Sequence, residues 1–333
     1  PNAQQGHIAQ NVTMANGEQV RVNVRLETTP TINGTDVVMR LFNMDQESYS
    51  LDKLGLSIEE RKVVDAIIAK PTGLVLVVGP TGSGKTTTLY SMLNSLNIET
   101  RKIITIEDPV EYQFGGIVQI PVDTNAEGND GSFAAKLRAI LRLDPDIVMV
   151  GEIRDSETAK TALQASLTGH LVLSTFHASS AAAALVRLED VIGQNPLFVS
   201  AIRLVMAQRL VRRLDDNTKQ PRQPSEAELN TIKSVLATLP SNVPQPDISK
   251  LQLFTPGSSS ENPYGYSGQI ALREQFTMSP EIREILEKSH DILSAQTIEE
   301  AAAKGGMLTM LQKGILRVIA GETTLEEVYR VIG

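Results

Sequence analysis

The sequence predicts an α/β fold: a mainly parallel sheet covered by helices, with a small β-containing region before it and a helical region after it. Three observations predict it. Between Gly73 and about Leu214, short apolar runs rich in β-formers alternate with helical patterns, the rhythm of parallel strands joined through crossover helices. One run, "LVLVV", leads directly into "GPTGSGKTTTLY", a glycine loop that opens onto a helical pattern. The apolar fraction, 41% of 333 residues, is enough for a sizeable core.

Residues 1–45 read as the C-terminal part of a small N-terminal domain. Its stretches "VRVNVRLETTP" and "TDVVMRLF" alternate as short strands around a turn at Asn33-Gly34. The chain opens on Pro1 rather than Met, so an earlier part of that domain is expected upstream. Residues 46–70 read as a polar linker and a leading helix. Ser57 is the expected cap, with Glu60 completing a capping box, and the helix runs to Lys70 before Pro71.

Residues 71–214 form the predicted nucleotide-binding core, with strands at Leu74–Val78, Lys102–Ile106, Asp146–Val150 and Leu171–Thr175. After Asp215 the texture changes to "DDNTKQPRQPSE", "LPSNVPQPD" and "TPGSSSENPYGYSG". This predicts a long irregular excursion holding one helix near Glu226–Ala237. A strand at Gln269–Glu274 and short helices complete the 215–333 region. The last helix is capped at Thr323 or Thr324 and carries Leu325, Val328 and Ile332 on one face. The stripe Leu308, Leu311, Ile315 and Val318 reads as core rather than a partner groove.

"GPTGSGKT", Gly79 to Thr86, fits G-x-x-x-x-G-K-[ST] in full. Gly79, Gly82 and Gly84 let backbone N–H groups turn inward around phosphates, and the helix that follows offers its positive end. Lys85 places a charge on the β- and γ-phosphates, and Thr86 offers an oxygen to Mg²⁺. Pro80, Thr81, Ser83 and Thr87 complete the candidate set.

A P-loop also needs acids to hold the metal and orient water. "ITIEDPVEY" offers Glu107, Asp108 and Glu111; "DIVMVGEIRD" offers Glu152, Arg154 and Asp155. Each group ends an apolar run, and in a parallel sheet strand C-termini converge on the phosphate site. His170 and His177 bracket "LVLSTF"; either reads equally as a hydrogen-bonded histidine at a sheet edge. Arg138 and Arg142, four apart in "LRAILR", share a helical face and read equally as a solvated pair.

Composition excludes several classes. There is no cysteine, hence no disulfide and no cysteine-ligated zinc. No run approaches the roughly 18 apolar residues that a membrane span needs, and no basic-then-apolar leader opens the chain. The net charge of −8 lacks a basic footprint and weighs against nucleic acid as the main partner.

Taken together the motifs resemble those of the ATPases of type II secretion and type IV pilus assembly, the GspE/PilB group. "GPTGSGKTTTLY" looks like their Walker A motif, "TIEDPVEY" like their Asp box, "LRAILRLDPDIVMVGEIRD" like their Walker B region and "TGHLVLSTFHA" like their His box. The match continues through "MAQRLVRRL" and "GMLTMLQKGILRVIAGETTLEEVYRVI", and this last stretch favours assembly or secretion over retraction.

The resemblance implies a RecA-like ATPase domain behind a small, PAS-like N-terminal α/β domain. It implies a homo-hexamer that binds ATP or ADP with Mg²⁺ near a subunit interface. Such a motor is cytoplasmic and peripheral to the inner membrane, where it docks on a platform protein. Carried over, Lys85 and Thr86 hold phosphate and metal, and Glu152 is the Walker B acid, touching the metal directly or through water. Glu107, Arg154 and His177 join it, and Arg25 and Arg40 reach nucleotide from the N-terminal domain. The departures are Asp36, Leu143 and "HASSA" after Phe176. Many relatives also place a zinc knuckle where this chain has "DDNTK" and "TPGSSSENPYGYSG", so packing and hydrogen bonds, with no structural zinc, are expected there. Two alternatives are a nucleotide-gated binding module with little turnover and a DNA-uptake or conjugation ATPase.

Overall fold

The computed structural model describes residues 4–13, 17, 19–43, 49–123, 131–193, 195–288 and 293–333. The chain begins with a three-stranded antiparallel meander, β1 (Gln4–Thr13), β2 (Gln19–Thr31) and β3 (Gly34–Asn43). The predicted turn joins β2 to β3, where Gly34 takes a φ of 137°, a backbone that glycine tolerates. β1 was not expected, because "QQGHIAQNVT" is largely polar. Residues 4–43, where described, hold strands and no helix. Strand register sets Arg25 directly opposite Arg40.

A 3-10 turn at Leu51–Leu54 leads to α1 (Ile58–Ile68), whose Ser57–Glu60 capping box forms as predicted. The core then runs β4 (Gly73–Val78), α2 (Lys85–Leu96), β5 (Ile103–Glu107), β6 (Ile117–Pro121), α3 (Phe133–Ile140), β7 (Ile147–Val150) and α4 (Ser156–Leu167). It continues through β8 (Leu171–Phe176), α5 (Ala181–Ile192), α6 (Pro196–Ala201) and β9 (Ile202–Leu214). After it come β10 (Gln220–Arg222), α7 (Glu226–Leu236), β11 (Leu253–Thr255), β12 (Tyr266–Thr277), α8 (Pro280–Lys288), α9 (Ala295–Lys304), α10 (Met310–Ile319) and α11 (Leu325–Ile332).

Seven strands form the main sheet in the order β12-β9-β4-β8-β7-β5-β6. All neighbours are parallel except β12, which runs antiparallel to β9. The sheet therefore crosses residue 214: its edge strand comes from the 215–333 region. β4 lies mid-sheet and is buried along its whole length, as a strand covered on both faces must be. Alternate residues serve opposite layers. Leu74, Leu76 and Val78 join the core under α3, α4 and α5, while Val75 and Val77 join the one under α1 and α2. Each such buried side chain contributes roughly 1.5–3 kcal/mol.

The 215–265 excursion is more ordered than its composition suggests. β10 and β11 pair, and α7 packs with α10 and α11 on a third apolar cluster that includes Ile232, Leu253, Ile315 and Val328. Where hydrogen bonds were expected in place of a knuckle, Asp215 accepts from Asn217 N (3.0 Å) and Asn262 Nδ2 (2.8 Å). Two glycines let the loops stack here: a Cβ on Gly257 would fall 1.9 Å from Thr218 O, and one on Gly265 would fall 2.0 Å from Gly257 O. No helix among the described residues is long and apolar enough to cross a membrane.

Candidate active site

The loop between β4 and α2 is a cradle whose shape depends on glycine. Gly79, Gly82 and Gly84 take φ values of 151°, 78° and 82°. A Cβ on Gly79 would lie 2.6 Å from both Gln208 O and Ser83 Oγ, and one on Gly84 would lie 2.7 Å from Gln208 Nε2. Side chains are excluded there by sterics as well as by dihedral preference. Ser83 is buried and donates to Pro80 O (2.9 Å), closing the turn, while Pro80, Thr81 and Gly82 are exposed at its tip.

No side chain caps α2 at Gly84, so its first-turn N–H groups are free to face an anion. Lys85 Nζ donates to the carbonyls of Gly79 and Pro80, each at 2.8 Å. Burial lowers its pKa; Glu152 opposes that and Arg209 adds to it. Thr86 and Thr87 are exposed at the start of the helix.

Beside the loop stands a cluster from three strand ends. Glu152, just past β7, contacts His177 Nε2 through one carboxylate oxygen and accepts from Arg154 Nε through the other. Arg154 also lies 3.6 Å from Asp108. Gly151 permits this junction, since a Cβ there would meet Ile106 O at 3.1 Å. Hydroxyls brace it: Ser174 Oγ donates to Val150 O (2.8 Å) and Thr175 Oγ1 to Gly151 O (2.6 Å). Arg187 donates to the carbonyl of His177 (2.7 Å). The chemistry available is a carboxylate held between a histidine and an arginine beside a phosphate loop.

Glu107 was expected with these groups, and its environment differs. It is 3% exposed and caged by three donors: Tyr90 OH, Thr105 Oγ1 (2.5 Å) and Gln119 Nε2 (3.0 Å). The rings of Tyr49, Tyr90, Tyr112 and Phe114 pack edge to face around it. Burial raises the Glu107 carboxyl above its ordinary range and pushes the Tyr49 phenol up to about 12.

Arg25 and Arg40 act on Glu111 of the same box, each lowering a carboxyl that burial raises. No hydrogen bond or ion pair joins either arginine to the phosphate loop among the described residues. Asp155 caps α4 through Thr158 N (2.8 Å), and His170 bonds Ala165 O (3.0 Å) at the start of the central strand β8, rather than at a sheet edge. Arg138 pairs with Glu157 on the surface (2.8 Å), and Arg142 is exposed.

The residue-by-residue reading missed two neighbours of the loop, both in β9. Gln208 donates to Ser83 O (2.5 Å), and Arg209 donates to Ser179 O (2.9 Å) behind the His box. The available signal was "QR" set inside an apolar strand run. Among the described residues no three His, Asp or Glu side chains converge into a metal cage.

A family model described as type II/IV secretion system protein matches residues 4–330. The putative type II secretion system protein E of Escherichia coli (strain K12) is 41% identical over 313 residues, covering 93% of this chain and 59% of that protein. Type II secretion system protein E of Pseudomonas aeruginosa is 43% identical over 311 residues, with shares of 93% and 58%. The type IV pilus assembly ATPase PilB of Acinetobacter baylyi is 37% identical over 310 residues, with shares of 93% and 51%. The chain therefore spans only 51–59% of the length of these three relatives. Among solved structures, the Legionella pneumophila ATPase DotB aligns with a TM-score of 0.65 at 22% identity, over 99% of this chain and 77% of that one. The pilus retraction motor PilT with bound ADP aligns with a TM-score of 0.62 at 26% identity, over 98% of this chain and 77% of that one. The fold is the RecA-like P-loop ATPase fold with a helical C-terminal region.

Proposed function

This chain belongs to the type II/IV secretion system protein family, and from that premise we propose that it hydrolyses ATP as a subunit of a hexameric motor driving pilus or pseudopilus assembly. The observation that carries the reading is the glycine loop at the end of β4 set beside the Glu152–His177–Arg154 cluster. Relatives named for type II secretion and for type IV pilus assembly support the pathway class.

In this reading the loop amides and Lys85 hold the β- and γ-phosphates of ATP. Mg²⁺ fits the donor set: it keeps several waters and uses one or two protein oxygens plus phosphate, here Thr86 with Glu152 behind it. When bound, it neutralises charge on the β- and γ-oxygens. Glu152 orients the attacking water, His177 holds that carboxylate in place, and Arg154 fixes its second oxygen. Glu107 acts one step back, as the anchor of the β5 end that carries Asp108. Arg25 and Arg40 project from a separate sheet, so their approach to nucleotide accompanies movement of that sheet or comes from a neighbouring subunit. Partner docking on an inner-membrane platform protein follows from the same family reading.

Specific ATPase activity measured against protein concentration, with Mg²⁺ and with particle size followed in parallel, tests the motor. Activity that rises as hexamers form is the expected result. Tight ATP binding with flat, negligible turnover would replace the motor with a nucleotide-gated module.

A further inference from the structure

The phosphate loop is held from behind by a buried polar chain that ends on the linker. Gln208, 1% exposed, donates through Nε2 to Ser83 O at 2.5 Å. Its Oε1 accepts from Thr88 Oγ1 of α2 (2.7 Å) and from Arg273 Nε of β12 (2.9 Å). Arg273 NH1 in turn donates to Leu54 O (2.5 Å), the last carbonyl of the 3-10 turn through which the chain passes from the N-terminal sheet to the core. Every side chain in this series is buried.

Arg273 is unusual in two ways. It is 4% exposed, and no carboxylate lies within ion-pair distance of it among the described residues. The nearby Glu60 is engaged by Lys313, and burial draws the guanidinium down to about 10. A buried cation whose nearest carboxylate is already paired with Lys313 costs stability, so its position calls for a role other than holding the fold together. The linker it grips also has room to shift. Gly55, Leu56 and Ser57 border a cleft of about 840 Å³ between α1, β12 and α10. Gly55 takes a φ of 68°, and its Cβ direction is open.

We infer that Arg273 is a positioning residue that ties the shape of the phosphate loop, through Gln208, to the position of the linker at Leu54. The inference rests on the ATPase reading above. When Leu54 sits against Arg273, Gln208 is oriented to hold the Ser83 carbonyl and the start of α2 together. When the linker shifts, the guanidinium loses one of its two acceptors and Gln208 its fixed orientation. Movement of the N-terminal sheet thus reaches the phosphates through side chains that never touch nucleotide.

The test compares the full chain with Arg273→Met, Arg273→Lys, Gly55→Ala and the Gly55→Ala/Arg273→Met double variant. The readouts are binding of a fluorescent ATP analogue, KM and kcat for ATP, and thermal unfolding. Arg273→Met removes a buried charge with no ion pair of its own, which offsets the loss of its hydrogen bonds to Gln208 and Leu54, so Tm is expected to stay near wild type, while KM and the analogue Kd increase by about tenfold. Arg273→Lys keeps the charge but cannot span both acceptors, and falls between the two. Gly55→Ala strains the turn and displaces the Leu54 carbonyl; it raises KM alone and adds nothing in the Arg273→Met background. An unchanged KM in Arg273→Met, a parallel fall of Tm and affinity, or additive effects in the double variant would each overturn the inference. Wild-type turnover is the control for the ATPase reading. Its absence retires that reading and the inference together, whereas normal wild-type turnover with an unaltered Arg273→Met retires the inference alone.

Discussion

Two strands, β5 and β7, lie side by side and end level with each other, Ile106 paired with Val150. Each presents a glutamate at its C-terminal end, yet the two carboxylates occupy different worlds. Glu107 is sealed by a tyrosine, a threonine and a glutamine inside an aromatic cluster. Glu152 is held by a histidine and an arginine that are both partly solvent-facing, next to the phosphate loop. The difference teaches that a strand end delivers an acid to the right neighbourhood, while the residues around it decide between support and chemistry.

The largest expected effect separates the two acids by activity. Glu152→Gln should lower ATP turnover by roughly 10²–10⁴, the range for a positioned acid–base group, while nucleotide binding and Tm stay near wild type. Phosphate release and analogue binding measured on one preparation check it, and turnover within a few-fold of wild type would erase the distinction.

Glu107→Ala should instead strike the fold. It strands the hydroxyls of Tyr90 and Thr105 in the interior and leaves Gln119 Nε2 only its bond to Tyr112 O, at a cost of about 3 kcal/mol. Urea unfolding reads this directly; an unmoved midpoint would show that the cage does not depend on the carboxylate.

Glu107→Gln gives a finer contrast through pH. Burial holds the Glu107 carboxyl above its ordinary 4.5, so the fold favours the protonated form. That contribution is intact below pH 4.5 and is lost as pH rises through the raised folded value. The amide does not titrate. The stability of Glu107→Gln relative to wild type should therefore climb from pH 4.5 upward and level off in its favour, with turnover changed only a few-fold. Thermal unfolding across pH 4 to 8 measures it, and a flat difference would contradict the assignment.

Asp108→Asn sets the lower end. The ion pair it would lose, to a half-exposed Arg154 3.6 Å away, is worth no more than about 1 kcal/mol. A larger loss in the same unfolding assay would make Asp108 part of the sealed box rather than its rim.

What could be read from the chain divides along the same line. β4, the glycine loop and α2 were legible because each depends on residues adjacent in sequence, as was the Ser57–Glu60 cap. The approximate places of Glu107 and Glu152 were legible too. Their environments were not, because Tyr90 comes from α2, Gln119 from β6 and His177 from the end of β8. β9 was missed as a strand for a related reason. "IRLVMAQRLVRRL" interrupts its apolar run with Gln208 and Arg209, whose partners in the loop, β12 and the His box lie far along the chain. Asp215 and Asn262 likewise meet only across the whole excursion.

The edge strand β12 has a further consequence, one of timing. β9 reaches its antiparallel neighbour only after the chain has run from 214 to 266, and Arg273 arrives with that neighbour. At a synthesis rate of about 5–20 residues per second, the glycine loop leaves the ribosome on the order of ten seconds or more before the strand that braces it. A nascent chain thus carries the phosphate loop next to an open, hydrogen-bonding sheet edge, and nucleotide or a chaperone met in that interval would find an unlocked site. Until β12 is made, the glycine loop lacks the Gln208–Arg273 brace behind it.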